Sequence, residues 1–220
     1  MNAVAERTLT PNQAARRARI LSAARELVAE HGYDGMIMRD VAIAARVSPT
    51  TVYNLYNTKD ELLLAALDDA VAQGWHQGVV DVPNPGLERL LHQTELAAAE
   101  TAASPAYAKA IAQALFRANE GDQIIDLLLI GGQEAVMLSL NAMQEAGELR
   151  ADVELKCLAL DMVMSFWGTY FQWSTGVIET KDLEHTLRRH YLAHLALVTE
   201  GSAAELISKE HARLEGTRNE

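Results

Sequence analysis

The sequence predicts an all-α protein, and three observations carry that prediction. Apolar residues recur at the three- and four-residue spacing of one helix face through most of the chain. A capping residue followed by proline, which opens a helix at its first position, occurs as Ser48-Pro49, Asn84-Pro85 and Ser104-Pro105. No stretch shows sustained alternation rich in β-branched and aromatic residues, so no strand is expected.

The elements follow in order. Residues 1–10 are polar and expected to form a flexible tail. Over 16–31 the residues Ile20, Ala24, Leu27 and Val28 share a helical stripe that Gly32 closes. A short helix over 38–45 turns Val41 and Ala42 inward, Arg46-Val47 make a turn, and Ser48-Pro49 start a second short helix through Tyr53. Val47 and Val52 would hold this pair at a steep angle, which is helix-turn-helix spacing. Thr58 and Glu61 read as a capping box opening a helix over 58–75. Asn84-Pro85 and Ser104-Pro105 each start another helix, and Asp122, Asp152 and Thr180 are expected caps for helices over 122–146, 152–175 and 180–198. Gly121, Gly147, Gly176 and Gly201 stand where helices should end. The yield is about nine helices, with a tenth over 203–214.

Composition narrows the function. With 220 residues, 49% apolar and 22% charged, the chain can bury a real core. The single Cys157 forms no disulfide within the chain and suits a reducing cytoplasm, and residues 1–10 lack the apolar core of a signal peptide. The longest uncharged run, 162–178, is broken by Gly168, Gln172, Ser174, Thr175 and Gly176 and reads as a buried helix, with no membrane span expected. The net charge of −11 hides an asymmetry: residues 1–59 carry eight basic side chains against five acidic ones, whereas the remainder carries 11 against 25. A basic quarter on an acidic chain suggests a polyanion reader at one end, or a chance clustering of surface charge.

The stretch RDVAIAARVSPTTVYNLYNTKDELL, residues 39–63, decides between these. Together with ILSAARELVAEHGYDG before it, it resembles the TetR family of transcriptional regulators, in motif detail over about 16–67. Thr51-Val52-Tyr53 followed in register by Tyr56, Lys59, Glu61 and Leu62 is the specific part. Beyond residue 67 only the architecture matches, with Gly147-Glu148-Leu149-Arg150 and Asp152 similar to the connector before the family's last two long helices. Three departures stand out. Ile37 occupies the place of a capping Thr or Ser, a loss of about 0.5–2 kcal/mol of helix stability. Arg46 replaces a turn glycine, and Thr50 and Leu55 replace a small residue and a ring.

Chemistry assigns the roles at the expected DNA face, which comprises Arg39, Arg46, Ser48, Pro49, Thr50, Thr51, Tyr53, Asn54 and Lys59. Thr50, Thr51 and Asn54 project from the recognition helix, where Asn pairs with adenine and Thr offers a methyl to thymine. Tyr53 and Lys59 suit phosphate oxygens. Arg39 is either a backbone contact or a partner of Asp40, and Tyr56 is expected to pack between helices.

The resemblance implies a helical effector-binding and dimerisation domain over 58–200, after a helix-turn-helix domain over 11–57 and before a polar extension over 201–220. The sequence supports the helical domain independently. Residues 124–130 are apolar on every face except at Asp126, as in a central buried helix, and Gly131-Gly132 interrupt it. Late Met and aromatic residues form either core and dimer seam or the wall of a pocket. The expected pocket is walled by Tyr107, Ile111, Phe116, Gln133, Met137, Asn141, Trp167 and Tyr170, the three on one helix at four-residue spacing after Gly132. The expected seam is a four-helix packing of 152–175 and 180–198 with their symmetry mates, through Leu183, Leu187, Tyr191 and Leu195. His190 and His194 share a helix face but find no third ligand, so they read as the rim of a helix interface; no metal and no cofactor are expected. No catalytic motif occurs, so no enzyme is expected. These readings converge on a homodimeric, ligand-responsive regulator of double-stranded operator DNA, a repressor released by a small apolar or aromatic effector. A helical ligand-binding or scaffold protein with impaired DNA binding is the alternative that Ile37 and Arg46 leave open.

Overall fold

The computed structural model describes residues 10–78, 86–120 and 122–216, and these divide into two compact units, Met1–Ala70 and Val71–Glu220. Residues 1–9, Asn84-Pro85 and Gly121 lie outside the described residues.

In the first unit α1 spans Pro11–Gly35, α2 Met38–Ala44 and α3 Pro49–Leu55, while α4, Lys59–Gly78, begins in this unit and contains the division. α1 starts five residues before the predicted stripe because Thr10 and Gln13 form a reciprocal capping box with Pro11 at the first helical position. Gly32 breaks the helix as expected, with φ at 71°, but helical turns resume through Gly35. The interior is made of Ile20, Leu21, Ala24, Val28, Val41, Ala42, Val52, Leu62 and Leu63, all buried. Arg25 ties α1 to α4, donating to the Asp69 carboxylate at 3.0 Å and to the Ala66 carbonyl oxygen at 3.1 Å. Thr58 accepts from the Glu61 N–H as predicted, whereas the Glu61 carboxylate reaches one residue further back than a capping box requires, to the Asn57 N–H.

In the second unit α5 spans Leu87–Ala103 and α6 Pro105–Phe116. The next rod runs through α7, Gln123–Ile125, a π-helical segment, Asp126–Ile130, and α8, Gly131–Glu145. α9 spans Leu155–Ser174; a 3₁₀ turn over Thr180–Asp182 leads into α10, Leu183–Ala196, and α11 covers Gly201–Gly216. Among the described residues there is no strand, only an isolated antiparallel bridge between Leu149 and Thr199. The main core gathers Leu90, Leu140, Met143, Met162, Leu192, Leu195 and Ile207 from five helices.

Several expected caps are corrected. α9 begins at Leu155 with Glu154, which accepts from the Cys157 N–H, because Asp152 is held by Arg150 at 3.1 Å. Asp122 caps no helix with its side chain, since its carboxylate accepts from the Asn119 N–H. Ser104 also makes no cap bond, and Thr180 opens only the 3₁₀ turn, its hydroxyl accepting from the Trp173 indole N–H at 3.0 Å. Residues 126–130 are not a buried centre: none of the π segment is fully buried, and Ile130 is exposed. Gln123–Glu145 is also long and apolar enough by composition to cross a membrane, and its Leu127, Leu128 and Leu138 line the cavity described below. α11, expected as part of a polar extension, contributes to the core, because its Ala203, Ile207 and Leu214 are buried.

Candidate nucleic-acid interface and ligand cavity

α2 and α3 meet through a turn whose backbone explains its sequence. Val47 N–H donates to the Ala42 carbonyl oxygen at 2.9 Å and Arg46 N–H to that of Ile43 at 3.1 Å, a Schellman closure. Its left-handed residue is Arg46, with φ at 56°, where glycine would meet no penalty. α2 has Ile37 at its N-cap, exposed and without a side-chain bond. α3 is capped by Ser48, which accepts from the Thr51 N–H at 3.1 Å, with Pro49 at the first helical position.

The face that α3 leaves open is the one its sequence predicts. Val52 is fully buried, whereas Thr50, Tyr53 and Asn54 are exposed at three- and four-residue spacing. Thr51 is half-buried and its hydroxyl lies 2.8 Å from that of Ser48, so it serves the cap as well as the face. Arg39 and Arg46 are exposed. Lys59 is placed differently: its ammonium donates to the Asp34 carbonyl oxygen at 3.3 Å and lies 4.2 Å from the centre of the Tyr33 ring. Tyr56 is buried as expected, burial raising its hydroxyl above the usual phenol range and nearby Arg17 partly offsetting that. Arg17 and Arg25 pair with Asp69, and Arg19 donates to the Ala45 carbonyl oxygen, so part of the basic charge at this end holds the unit together.

The second unit holds a partly open cavity of about 510 Å³, within the usual range for small-molecule sites. α5 lines it with Arg89, His92, Gln93, Leu96, Ala97 and Glu100, which is one helix face over three turns. The rod opposite contributes Leu127, Leu128, Gly131, Gly132, Ala135 and Leu138, and α9 contributes Val163, Phe166 and Trp167. Of the predicted wall only Trp167, together with both glycines, lines this space. Gln133, Met137 and Asn141 do not, because the cavity-facing stripe of α8 is shifted by one to two residues, to Gly131, Gly132, Ala135 and Leu138. Gln133 instead donates to the Lys156 carbonyl oxygen at 3.1 Å, Met137 packs on the main core, and Asn141 is exposed. Ile111 is core, and Phe116 packs edge-on against Trp167 and Phe171. Tyr107 is half-buried on α6 and outside the wall. Tyr170 is also excluded: its hydroxyl lies 2.7 Å from that of Thr101 and 3.1 Å from the Ala97 carbonyl oxygen, and burial pushes it up to about 12.

Known proteins place this geometry. The family described as bacterial regulatory proteins, tetR family, matches residues 20–66, the segment holding most of α1 and all of α2 and α3. The helix-turn-helix unit matches the TetR family over these residues. An uncharacterized HTH-type transcriptional regulator of Mycobacterium tuberculosis is 36% identical over 84 residues, 38% of this chain and 39% of that regulator. The match thus spans well under half the length of that relative. Two solved structures share the fold across both units. A TetR transcription regulator from Haloarcula marismortui superposes with a TM-score of 0.69 at 18% identity, covering 85% of this chain and 100% of that one. FadR from Thermus thermophilus, a TetR-family repressor in complex with lauroyl-CoA, superposes with 0.62 at 24% identity, covering 85% and 98%.

Within this TetR-type fold the predicted seam residues need correction. Leu183, Leu187, Tyr191 and Leu195 are buried inside their own chain, Tyr191 beside the cavity, so this stripe of α10 is core. An open apolar face lies on α9, where Leu160, Met164 and Phe171 are 43–52% exposed and flank the exposed Gly168. His190 and His194 bridge α10 to α9, with Thr169 Oγ1 2.9 Å from His190 Nδ1 and Ser165 Oγ 2.7 Å from His194 Nε2. Sequence reasoning missed α5 as a wall. Its signal was present in the apolar and small residues Leu96 and Ala97 between polar Arg89, Gln93 and Glu100 at helical spacing.

Proposed function

We propose that this chain is a ligand-responsive transcriptional regulator, a repressor that binds operator DNA as a homodimer and is released by a small apolar or aromatic effector. The observation that carries this reading is the exposed face of α3, Thr50, Tyr53 and Asn54, on a TetR-type helix-turn-helix with Arg46 at its turn. The largely apolar cavity of the second unit supports the effector. FadR, which shares the fold, is in complex with lauroyl-CoA. Homodimers would form through the outer faces of α9 and α10. Two recognition helices must then stand about 34–36 Å apart, or a multiple of that, to meet successive major grooves. An effector that binds the two spacings with different affinity shifts the population between them, with α4 as the lever.

A salt-titrated gel shift on DNA flanking the chain's own reading frame tests this. Wild type should bind more weakly as salt rises, and Asn54→Ala should change base preference by about 1–3 kcal/mol at one position per half-site. Lys59→Ala should weaken binding to all sequences alike, once Lys59 exchanges the Asp34 carbonyl oxygen for a phosphate. No sequence-selective shift at low salt would favour the alternative, a ligand-binding helical protein with impaired DNA binding, to which the uncapped α2 and the positive φ of Arg46 point.

A further inference from the structure

The cavity carries more information than its apolar walls. Its basic lining residues are Arg89 and His92, and His92 is engaged by Glu95 at 3.5 Å. Arg89 makes no ion pair with any described residue, and its Nε is buried without a hydrogen-bond partner. A guanidinium stays charged at any physiological pH, and a buried N–H without an acceptor is unfavourable. Arg89 is half-buried at the cavity wall and has no acid against it among the described residues, so it is open to an anionic partner. The Gln93 amide lies one helical turn on and lines the same wall, adding a second N–H donor.

Shape and charge restrict what completes the pair. The α5 wall runs from Arg89 to Glu100, eleven steps of 1.5 Å rise or about 16 Å, and the rod wall from Leu127 to Leu138 spans as many residues. Between these ends the lining is mostly apolar, with Leu96, Ala97, Leu127, Leu128, Val163 and Phe166, and Glu134 is the acid on the rod side. Glu100 stands at the end away from Arg89. An anionic group is therefore drawn to Arg89 and repelled from the far end, which fixes the ligand's direction. The lining also holds Glu134, so its two acids face one unpaired guanidinium, and a singly charged carboxylate suits this balance better than a doubly charged phosphate.

We infer that the cavity takes an elongated apolar carboxylic acid, its carboxylate paired with the Arg89 guanidinium and its body laid along α5 toward Glu100. This rests on reading the cavity as the effector site and names the class of effector. Arg89 supplies the fork, Gln93 a supporting donor, and the Leu96 and Phe166 side chains the surface for the body.

The experiment compares three probes of one chain length and different heads, decanoate, decanol and decyltrimethylammonium, below their micelle concentrations. Binding to the full chain is followed by tryptophan fluorescence, since Trp167 lines the cavity, and by calorimetry. The expected result is a dissociation constant for decanoate at least tenfold below those of the other two. Arg89→Gln should bring the decanoate-to-decanol ratio to near one, and Arg89→Lys, which keeps charge but loses the fork, should give an intermediate ratio. If Arg89→Gln fails to fold, the wild-type ratio alone decides. Binding of all three probes without preference, or preference for the cation, overturns this proposal and leaves the effector cavity standing. Binding of none overturns both.

Discussion

At the scale of single residues, the helix-turn-helix unit balances stability against charge at Arg46. Its φ of 56° lies in the region where a Cβ crowds the backbone, a cost of about 1–2 kcal/mol that glycine avoids. Arg46→Gly should therefore stabilise the chain by about 1 kcal/mol in urea unfolding. The same change removes an exposed cation from the turn before the recognition helix, so operator affinity should fall and the slope of its salt dependence should decrease by about one. Stabilisation without loss of affinity would mean that Arg46 stands clear of the DNA backbone. Ile37 offers the converse case: it is exposed at the N-cap of α2 and bonds nothing there, so Ile37→Thr should gain about 0.5–2 kcal/mol of stability. A recovered Thr hydroxyl would also be in place for a phosphate, and affinity should rise with stability.

At the scale of elements, the rod from Gln123 to Glu145 has both its irregularities at the cavity. A π-helical segment, with a hydrogen-bond pattern that is often found at functional sites, runs directly into Gly131-Gly132. Gly132 does not mark a close approach: a Cβ there would meet only the Val163 methyls at 3.7 Å, ordinary contact. Gly132→Ala should thus stabilise the helix by about 1 kcal/mol, and Gly132→Leu should project into the cavity and obstruct ligand while sparing operator affinity. The α9–α10 pair answers to pH through His190, held below the ordinary imidazole value first by burial and then by Arg189 and His194. Because the folded chain disfavours the proton, the unfolded chain binds it first as pH falls below about 6.5. Stability should therefore be full near pH 7.5 and decline as pH drops toward the lowered value. His190→Asn, which can keep the Thr169 contact, should flatten that decline in thermal melts at several pH values. Elements of this kind were legible wherever a local signal sufficed, as at Ser48-Pro49, Thr58 and the Gly147 and Gly176 stops. Thr10 through Gln13 was equally legible in principle and concealed only by the polar residues before it. Asp152 was not legible, because its bond to Arg150 competes with capping and spacing does not reveal which one wins. The cavity was half legible: the glycines announced it, but the side of α8 that faces inward depends on how α5 packs, a contact between residues some 40 positions apart.

At the scale of the whole molecule, apolar periodicity shows that a face is buried without saying in what. Leu183, Leu187, Tyr191 and Leu195 form a stripe that could meet a second chain or the same chain, and in this fold it meets α5 and α9. One apolar surface open to a partner among the described residues is that of α9, where Leu160, Met164, Gly168 and Phe171 succeed one another at helical spacing and stay exposed. A two-fold axis beside such a face sets the same residues against their own copies, and glycine at its centre lets two helices approach closely. Leu160→Asp with Met164→Asp should therefore yield folded monomers, with near-wild-type helicity by circular dichroism and half the wild-type mass by light scattering. Such monomers should lose operator affinity steeply, because each would hold a single half-site. Tyr191→Asp should instead place a carboxylate in the core beside the cavity and lower the melting temperature sharply before any change in assembly is seen. A wild-type monomer at micromolar concentration, or a Leu160→Asp and Met164→Asp variant that remains dimeric, would place the assembly face elsewhere on the chain.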